Sequence, residues 1–176
     1  MRLRFFVITV ISAVAALLFI PLEAPAAGTG DTSVSYPEGY RTWTFLHSSL
    51  VPPGGDAFSK SPCVKPCTNG IFHFYANELA MKGLRTGTYE DGAIIAEEML
   101  QFRMNDKGYG VEGSRVLTAV MVKDSHRYAA TGGWGYGHFD EGSTVNDLDA
   151  KAQHACYQCH TVRKDHDYVF SQYAAR

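Results

Sequence analysis

From Tyr40 to Phe139 the chain repeatedly switches between period-two alternation and short clusters of turn residues. Tyr40–His47 alternates so that Trp43, Phe45 and His47 fall on one face of a predicted strand, with Thr42, Thr44 and Leu46 on the other. Ile71–Tyr75 reads as a second strand, Ala93–Phe102 as a long third, and Arg115–Val122 as a fourth. In the fourth, Val116, Thr118, Val120 and Val122 oppose Leu117, Ala119 and Met121. In a fifth, Trp134, Tyr136 and His138 alternate with Gly135 and Gly137, leaving one face aromatic and the other bare. A bare strand face admits close neighbours, flat cofactors included.

Turn chemistry separates these runs. Val51–Asn69 is rich in Pro, Gly and Ser and is expected to be a loop. Asn77 is placed to cap a helix running to about Arg85, and Gly87 to end it. Glu90-Asp91-Gly92 and the Gly-rich Lys107–Gly113 are turns. Thr144 followed by Asp147 resembles a capping box, predicting a helix from about Val145 into Cys156. No internal repeat or low-complexity tract interrupts the pattern. The expectation is a single α+β domain, a mainly antiparallel sheet with two helices packed on it.

Composition adds a compartment. Arg2 and Arg4 precede the apolar run Phe5–Leu22, and Ala24-Pro25-Ala26 supplies small residues where a signal peptidase reads them. Residues 1–26 are therefore expected to be a cleaved secretory signal, residues 27–35 a flexible lead, and residues 36–176 the folded domain. A retained anchor is the competing reading, because an apolar run of roughly 18 residues sits at the lower edge of a bilayer span. The small-residue site follows at once and no basic stop-transfer cluster does, which favours cleavage and a periplasmic location. The formal charge of the chain is -2, and the signal carries away two Arg and one Glu. What remains is mildly acidic with scattered cations, which argues against nucleic acid as a partner.

An exported chain changes the meaning of its four Cys. Cys156-Tyr157-Gln158-Cys159-His160 has the spacing at which two thiols add to the two vinyl groups of one haem while the next residue ligates its iron. A zinc site needs a fourth ligand, and a thioredoxin-like pair needs a βαβ setting that the pattern lacks. Cys156, Cys159 and His160 are thus the expected haem c site, with His160 as the proximal iron ligand. Only 16 residues follow His160 and none is Met, unlike the His/Met electron-transfer cytochromes, whose motif lies early. The strands exclude the all-helical cytochromes c′. Cys63 and Cys67 lack a following His; a disulfide closing a small loop is expected, with free thiols or a metal pair as alternatives.

Several further motifs stand in a fixed order. They are Tyr36-Pro37-Glu38-Gly39-Tyr40-Arg41-Thr42-Trp43, Phe74-Tyr75-Ala76-Asn77, Arg85-Thr86-Gly87 with Asp91-Gly92, and Val122-Lys123-Asp124-Ser125 through Arg127-Tyr128-Ala129. Gly132-Gly133-Trp134-Gly135-Tyr136, the haem pentad and Asp167-Tyr168-Val169-Phe170-Ser171 complete the set. In this order they resemble the cytochrome P460 family over essentially Tyr36 to Tyr173. The resemblance implies a mono-haem, mainly antiparallel fold, usually a homodimer, with five-coordinate iron and an open distal side. It also implies small nitrogen ligands: some members oxidise hydroxylamine, and the related cytochromes c′-β bind nitric oxide, with Phe capping the iron.

The catalytic members tether the macrocycle to a Lys just ahead of the Thr-Gly turn, where this chain has Leu84 or Arg85. Lys82 is the nearest candidate for that cross-link; the alternative is a solvated helix charge. Catalytic members also use a distal carboxylate. The strand Trp134–Phe139 contains none, which leaves Asp140 and Glu141 as neighbours to place.

The expected function is nitric oxide binding, with hydroxylamine oxidation through Lys82 as one alternative. A plain electron carrier with a sixth ligand such as His73 or Met121 is the other. His47, His73 and His138 lie on predicted strands, where a hydrogen-bonded structural role is expected; of the three, His73, between Phe72 and Phe74, has the better case for the alternative, contact with the haem pocket. Phe72, Phe74, Phe102, Trp134 and Tyr136 are core residues by default. The redox partner is undefined, a basic one suiting an acidic domain.

Overall fold

The computed structural model of the chain describes residues 33–52 and 69–173. Residues 1–26 and the pair Cys63 and Cys67 lie outside the described residues. Five strands, β1 (Thr44–Val51), β2 (Gly70–Ala76), β3 (Ile94–Met104), β4 (Gly110–Lys123) and β5 (Trp134–Asp140), form one antiparallel sheet in sequence order. Helix α1 (Glu78–Thr86) connects β2 to β3 and α2 (Ala150–His160) follows β5. This is the α+β architecture that the alternation predicts.

Register divides the side chains between two faces. Ala76, Ile95, Met121 and Tyr136 stand opposite one another in successive pairs. They form a buried cluster with Ala80 and Met81 of α1, against which Leu84, Cys156 and Tyr157 pack. Both helices therefore cover the same face. The second face carries Ala96, Val120 and Phe139 under Val34, Tyr40 and Tyr128. Val34 is only 3% exposed, so packing already begins within the stretch expected to be a loose lead.

The second face also takes Glu98, a carboxylate buried in the middle of β3. It accepts from the Tyr40 hydroxyl at 2.8 Å and pairs with the Arg41 guanidinium. Burying a charge requires such a partner set, and the Tyr36–Trp43 motif supplies it from a 3-10 turn at Tyr40–Thr42. Burial, with Glu98 beside it, pushes the Tyr40 phenol up to about 12.

Three local expectations are corrected. The register shifts between Phe45 and His47, so these residues do not share a face. Phe45 instead meets the rings of His73 and Tyr75, while His47 stacks on Phe74 at 4.4 Å. An added residue in one strand reverses every side chain beyond it, and alternation alone does not reveal where it sits. The bare face of β5 is filled by protein: a Cβ at Gly135 would lie 2.3 Å from the Tyr128 ring, and one at Gly137 3.0 Å from Val34.

The third correction concerns α2, which starts at Ala150 rather than near Val145. Its cap is Asp149, whose Oδ1 accepts from Ala152 N–H at 2.7 Å. The residues ahead of it are bound to β5 instead: Asn146 Oδ1 accepts from His138 N–H, and Asp147 N–H donates to the His138 carbonyl, both at 3.1 Å. Helix α1, by contrast, is capped by Asn77 and ended by a left-handed Gly87 as expected. Asp149→Ala is expected to lower stability to denaturant by about 1 kcal/mol, whereas Thr144→Ala leaves the midpoint unchanged. The reverse ranking would contradict the observed helix start.

Candidate functional site

Cys156, Cys159 and His160 occupy positions i, i+3 and i+4 of α2, which places their side chains on one face within a single turn. Cys156 packs against the cluster that contains Tyr136. The three residues thus meet the aromatic side of β5, opposite the glycine side. Both cysteines are half-buried.

The geometry of His160 is the most informative feature. Its Nδ1 lies 2.7 Å from the carbonyl oxygen of Tyr168. A carbonyl only accepts, so Nδ1 carries the proton and Nε2 presents a lone pair. That is the tautomer a metal-ligating histidine adopts when its other nitrogen is spent on a carbonyl. Burial holds the imidazole pKa below its ordinary value, and the Tyr168 carbonyl offsets only part of that effect. The ring is therefore kept neutral, as ligation requires. Tyr136 and Phe170 stand on it, with ring centroids 5.1 and 5.0 Å away.

Tyr168 reaches this position through an unusual backbone. After α2 a 3-10 stretch (Thr161–His166) bends at Arg163, and Asp167 and Tyr168 then take φ of 49° and 66°. Their turn is closed by Tyr168 N–H to the Arg163 carbonyl at 2.8 Å and Val169 N–H to the His166 carbonyl at 3.1 Å. The Tyr168 ring lies over Gly132, where a Cβ would come within 2.4 Å of it.

The residues present fit a c-type haem. Besides the donor set, the hydroxyl of Tyr136 is buried beside His160 without a hydrogen-bond partner among the described residues. A buried polar atom in this condition marks a place where a further group belongs. Burial, with the Cys156 thiol next in effect, pushes the Tyr136 phenol pKa well above its ordinary value.

The other residues singled out from the sequence divide clearly. His73 lies on the opposite face, with Nδ1 2.7 Å from Ser48 Oγ and Nε2 2.7 Å from Glu112 Oε1. His73 thus has the hydrogen-bonded structural role expected of a strand histidine, and the alternative of contact with the haem pocket is not met: β2 turns its Phe72, Phe74 and Ala76 side, not its His73 side, toward the helices. His47 and His138 stand on the helix-covered face by register. The Nδ1 of His138 is held 2.8 Å from Asp147. Met121 is buried opposite Tyr136. Asp140, at the end of β5, and Glu141, in the turn after it, are both exposed.

Lys82 projects from the outer side of α1, more than half exposed, and pairs with Glu90. Leu84 packs into the cluster with Cys156, while Arg85 sits over the Tyr173 ring at 5.6 Å. Phe72 and Trp134 are fully buried core residues and Tyr136 nearly so; Phe74 and Phe102 are half-buried. One carboxylate was missed in the sequence. Glu97 is half-buried on the helix-covered face, in register with Phe74 and Ala119. Its signal was the Glu97-Glu98 pair, flanked by the apolar runs Ile94–Ala96 and Met99–Leu100, whose two members must face opposite ways.

Residues 37–171 match the family model for cytochrome P460. No curated protein matches the chain.

The seat of Tyr168 can be tested by Gly132→Ala. This adds a methyl group against the ring at a positive φ, and a loss of about 1–3 kcal/mol in unfolding free energy is expected. Unchanged stability would contradict the close packing beneath His160.

Proposed function

Because the chain belongs to the cytochrome P460 family, and so is a haem protein, we propose that it is an exported cytochrome carrying one haem c on Cys156 and Cys159. In this reading His160 is the proximal ligand, and the open sixth position takes nitric oxide or a related small nitrogen species. The observation that carries it is the hydrogen bond from His160 Nδ1 to the Tyr168 carbonyl. It fixes the tautomer, aims Nε2 and strengthens that nitrogen as a donor. When bound, the haem supplies an iron that accepts single electrons and coordinates small ligands. The chain favours the neutral imidazole, packs the rings of Tyr136 and Phe170 against it, and presents an apolar face of β2 and β4 on the same side of the sheet.

Two placements argue against His73 as a sixth ligand and against a cross-link through Lys82. Both nitrogens of His73 are engaged on the far face of the sheet. Lys82 is paired with Glu90 in solvent, while the inward position on α1 is taken by Leu84, which has no amine. Binding of a small nitrogen ligand is therefore the better reading than hydroxylamine oxidation through a Lys82 cross-link. Residues 1–26 would deliver the chain to the periplasm, and a homodimer is the proposed assembly.

Titrating the reduced protein with nitric oxide should give rapid, saturable spectral change. His160→Ala should retain the haem but lose the native ligation spectrum; an unchanged spectrum and affinity would overturn the assignment. Mass analysis of the haem-bearing peptide should find attachment to Cys156 and Cys159 alone, in wild type and in Lys82→Ala alike. A wild-type peptide that includes residues around Lys82 would restore the oxidase reading.

A further inference from the structure

We propose that Lys123 and Asp167 are the positioning residues of the axial histidine, acting on it through the backbone of Tyr168. The proposal rests on the reading of His160 as the iron ligand. Lys123 is the last residue of β4, and its ammonium group lies 2.8 Å from each oxygen of Asp167. It also donates to the Gly132 carbonyl at 3.2 Å and stands 5.0 Å from the centre of the Trp134 ring. The indole N–H of Trp134 points to the same carboxylate, 3.4 Å away. The side chains are only 10% and 21% exposed. Such a pair is hard to break, since removing one partner leaves a charge in a poorly solvated place.

What this pair holds is a strained segment. Asp167 and Tyr168 are the only non-glycine residues with positive φ among the described residues, and they are consecutive. Asp tolerates the left-handed region; a bulky Tyr does not adopt it without support from its surroundings. The support is visible on three sides. Lys123 anchors the Asp167 side chain, Gly132 leaves room for the Tyr168 ring, and the Arg163 carbonyl takes the Tyr168 N–H. Toward α2 this arrangement turns the Tyr168 ring, which meets Tyr157 with ring centroids 5.5 Å apart, and the Tyr168 carbonyl, which meets His160 Nδ1.

Three motifs outside the haem pentad, Val122–Ser125, Gly132–Tyr136 and Asp167–Ser171, thereby become parts of one device. A rigid strand end fixes a carboxylate, the carboxylate fixes a left-handed turn, and the turn fixes the acceptor that sets the donor strength of the imidazole. Loosening the first link should lengthen the last hydrogen bond and weaken the bond from histidine to iron, without touching either.

The test uses the haem-loaded protein with Lys123→Met, Lys123→Arg and Asp167→Asn. Asn keeps the tolerance for positive φ and removes the charge, so that variant carries the experiment even where Lys123→Met fails to accumulate. The readout is the iron–histidine stretching band of the reduced protein by resonance Raman spectroscopy, alongside covalent haem content and thermal midpoint. Asp167→Asn and Lys123→Met should keep one covalent haem while the band moves to lower frequency and broadens; Lys123→Arg should restore it toward wild type. A lowered midpoint with the band at its wild-type frequency would show a merely structural ion pair and overturn the proposal. Failure of the underlying reading looks different: the same band would then survive in His160→Ala.

Discussion

The hydrogen bond between His160 Nδ1 and the carbonyl of Tyr168 is the constraint on which the rest of the site depends. A neutral imidazole has one donor and one acceptor, and what the first is spent on decides what the second can do. Here the donor is spent on a backbone group, which can neither rotate away nor titrate. The cost is local: the chain after α2 must double back within eight residues and adopt two positive φ values to bring that carbonyl into place. Strain of this kind persists only where the surroundings over-determine it. The partly buried ion pair of Lys123 with Asp167 and the glycine floor under Tyr168 do so here.

The sheet serves this site by keeping its two faces apart. One face is sealed by the N-terminal stretch, with Tyr40 and Arg41 satisfying the buried charge of Glu98 and with Tyr128 and Val34 filling the space above the glycines of β5. With those residues on that face, the helices and the haem motif lie on the other. There Tyr136 provides the contact between β5 and His160, and Phe72, Met99 and Leu117 continue the apolar surface away from it. The same division puts Glu97 and Glu98, neighbours in sequence, into opposite roles.

Features set by adjacent residues were legible in the sequence. Asn77 and Gly87 bound α1 because capping and chain reversal are local acts, and the haem pentad is recognisable because its geometry is that of one helical turn. Features set by distant contacts were not. The shift between Phe45 and His47 depends on how β1 meets β2. Thr144 and Asp147 offered as good a cap pattern as Asp149, and only the bonds of Asn146 and Asp147 to β5 decide between them. The glycines of β5 did announce a close neighbour, but not that it would be a tyrosine. A structural role for His73 was legible, but its face was not, because alternation gives the parity of a strand and not which side receives the helices. The Tyr168 carbonyl, the second half of the candidate site, is a backbone atom and leaves no trace in side-chain chemistry.

The central claim is an iron held by His160 alone from the protein side, on a haem attached only through Cys156 and Cys159. The optical spectrum of the purified protein, reduced and without added ligand, tests it most directly. The account predicts the broad visible bands of a high-spin, five-coordinate c-type haem. Sharp, resolved low-spin bands would reveal a sixth protein ligand, and a strongly red-shifted Soret band would reveal a cross-linked macrocycle; either would contradict it.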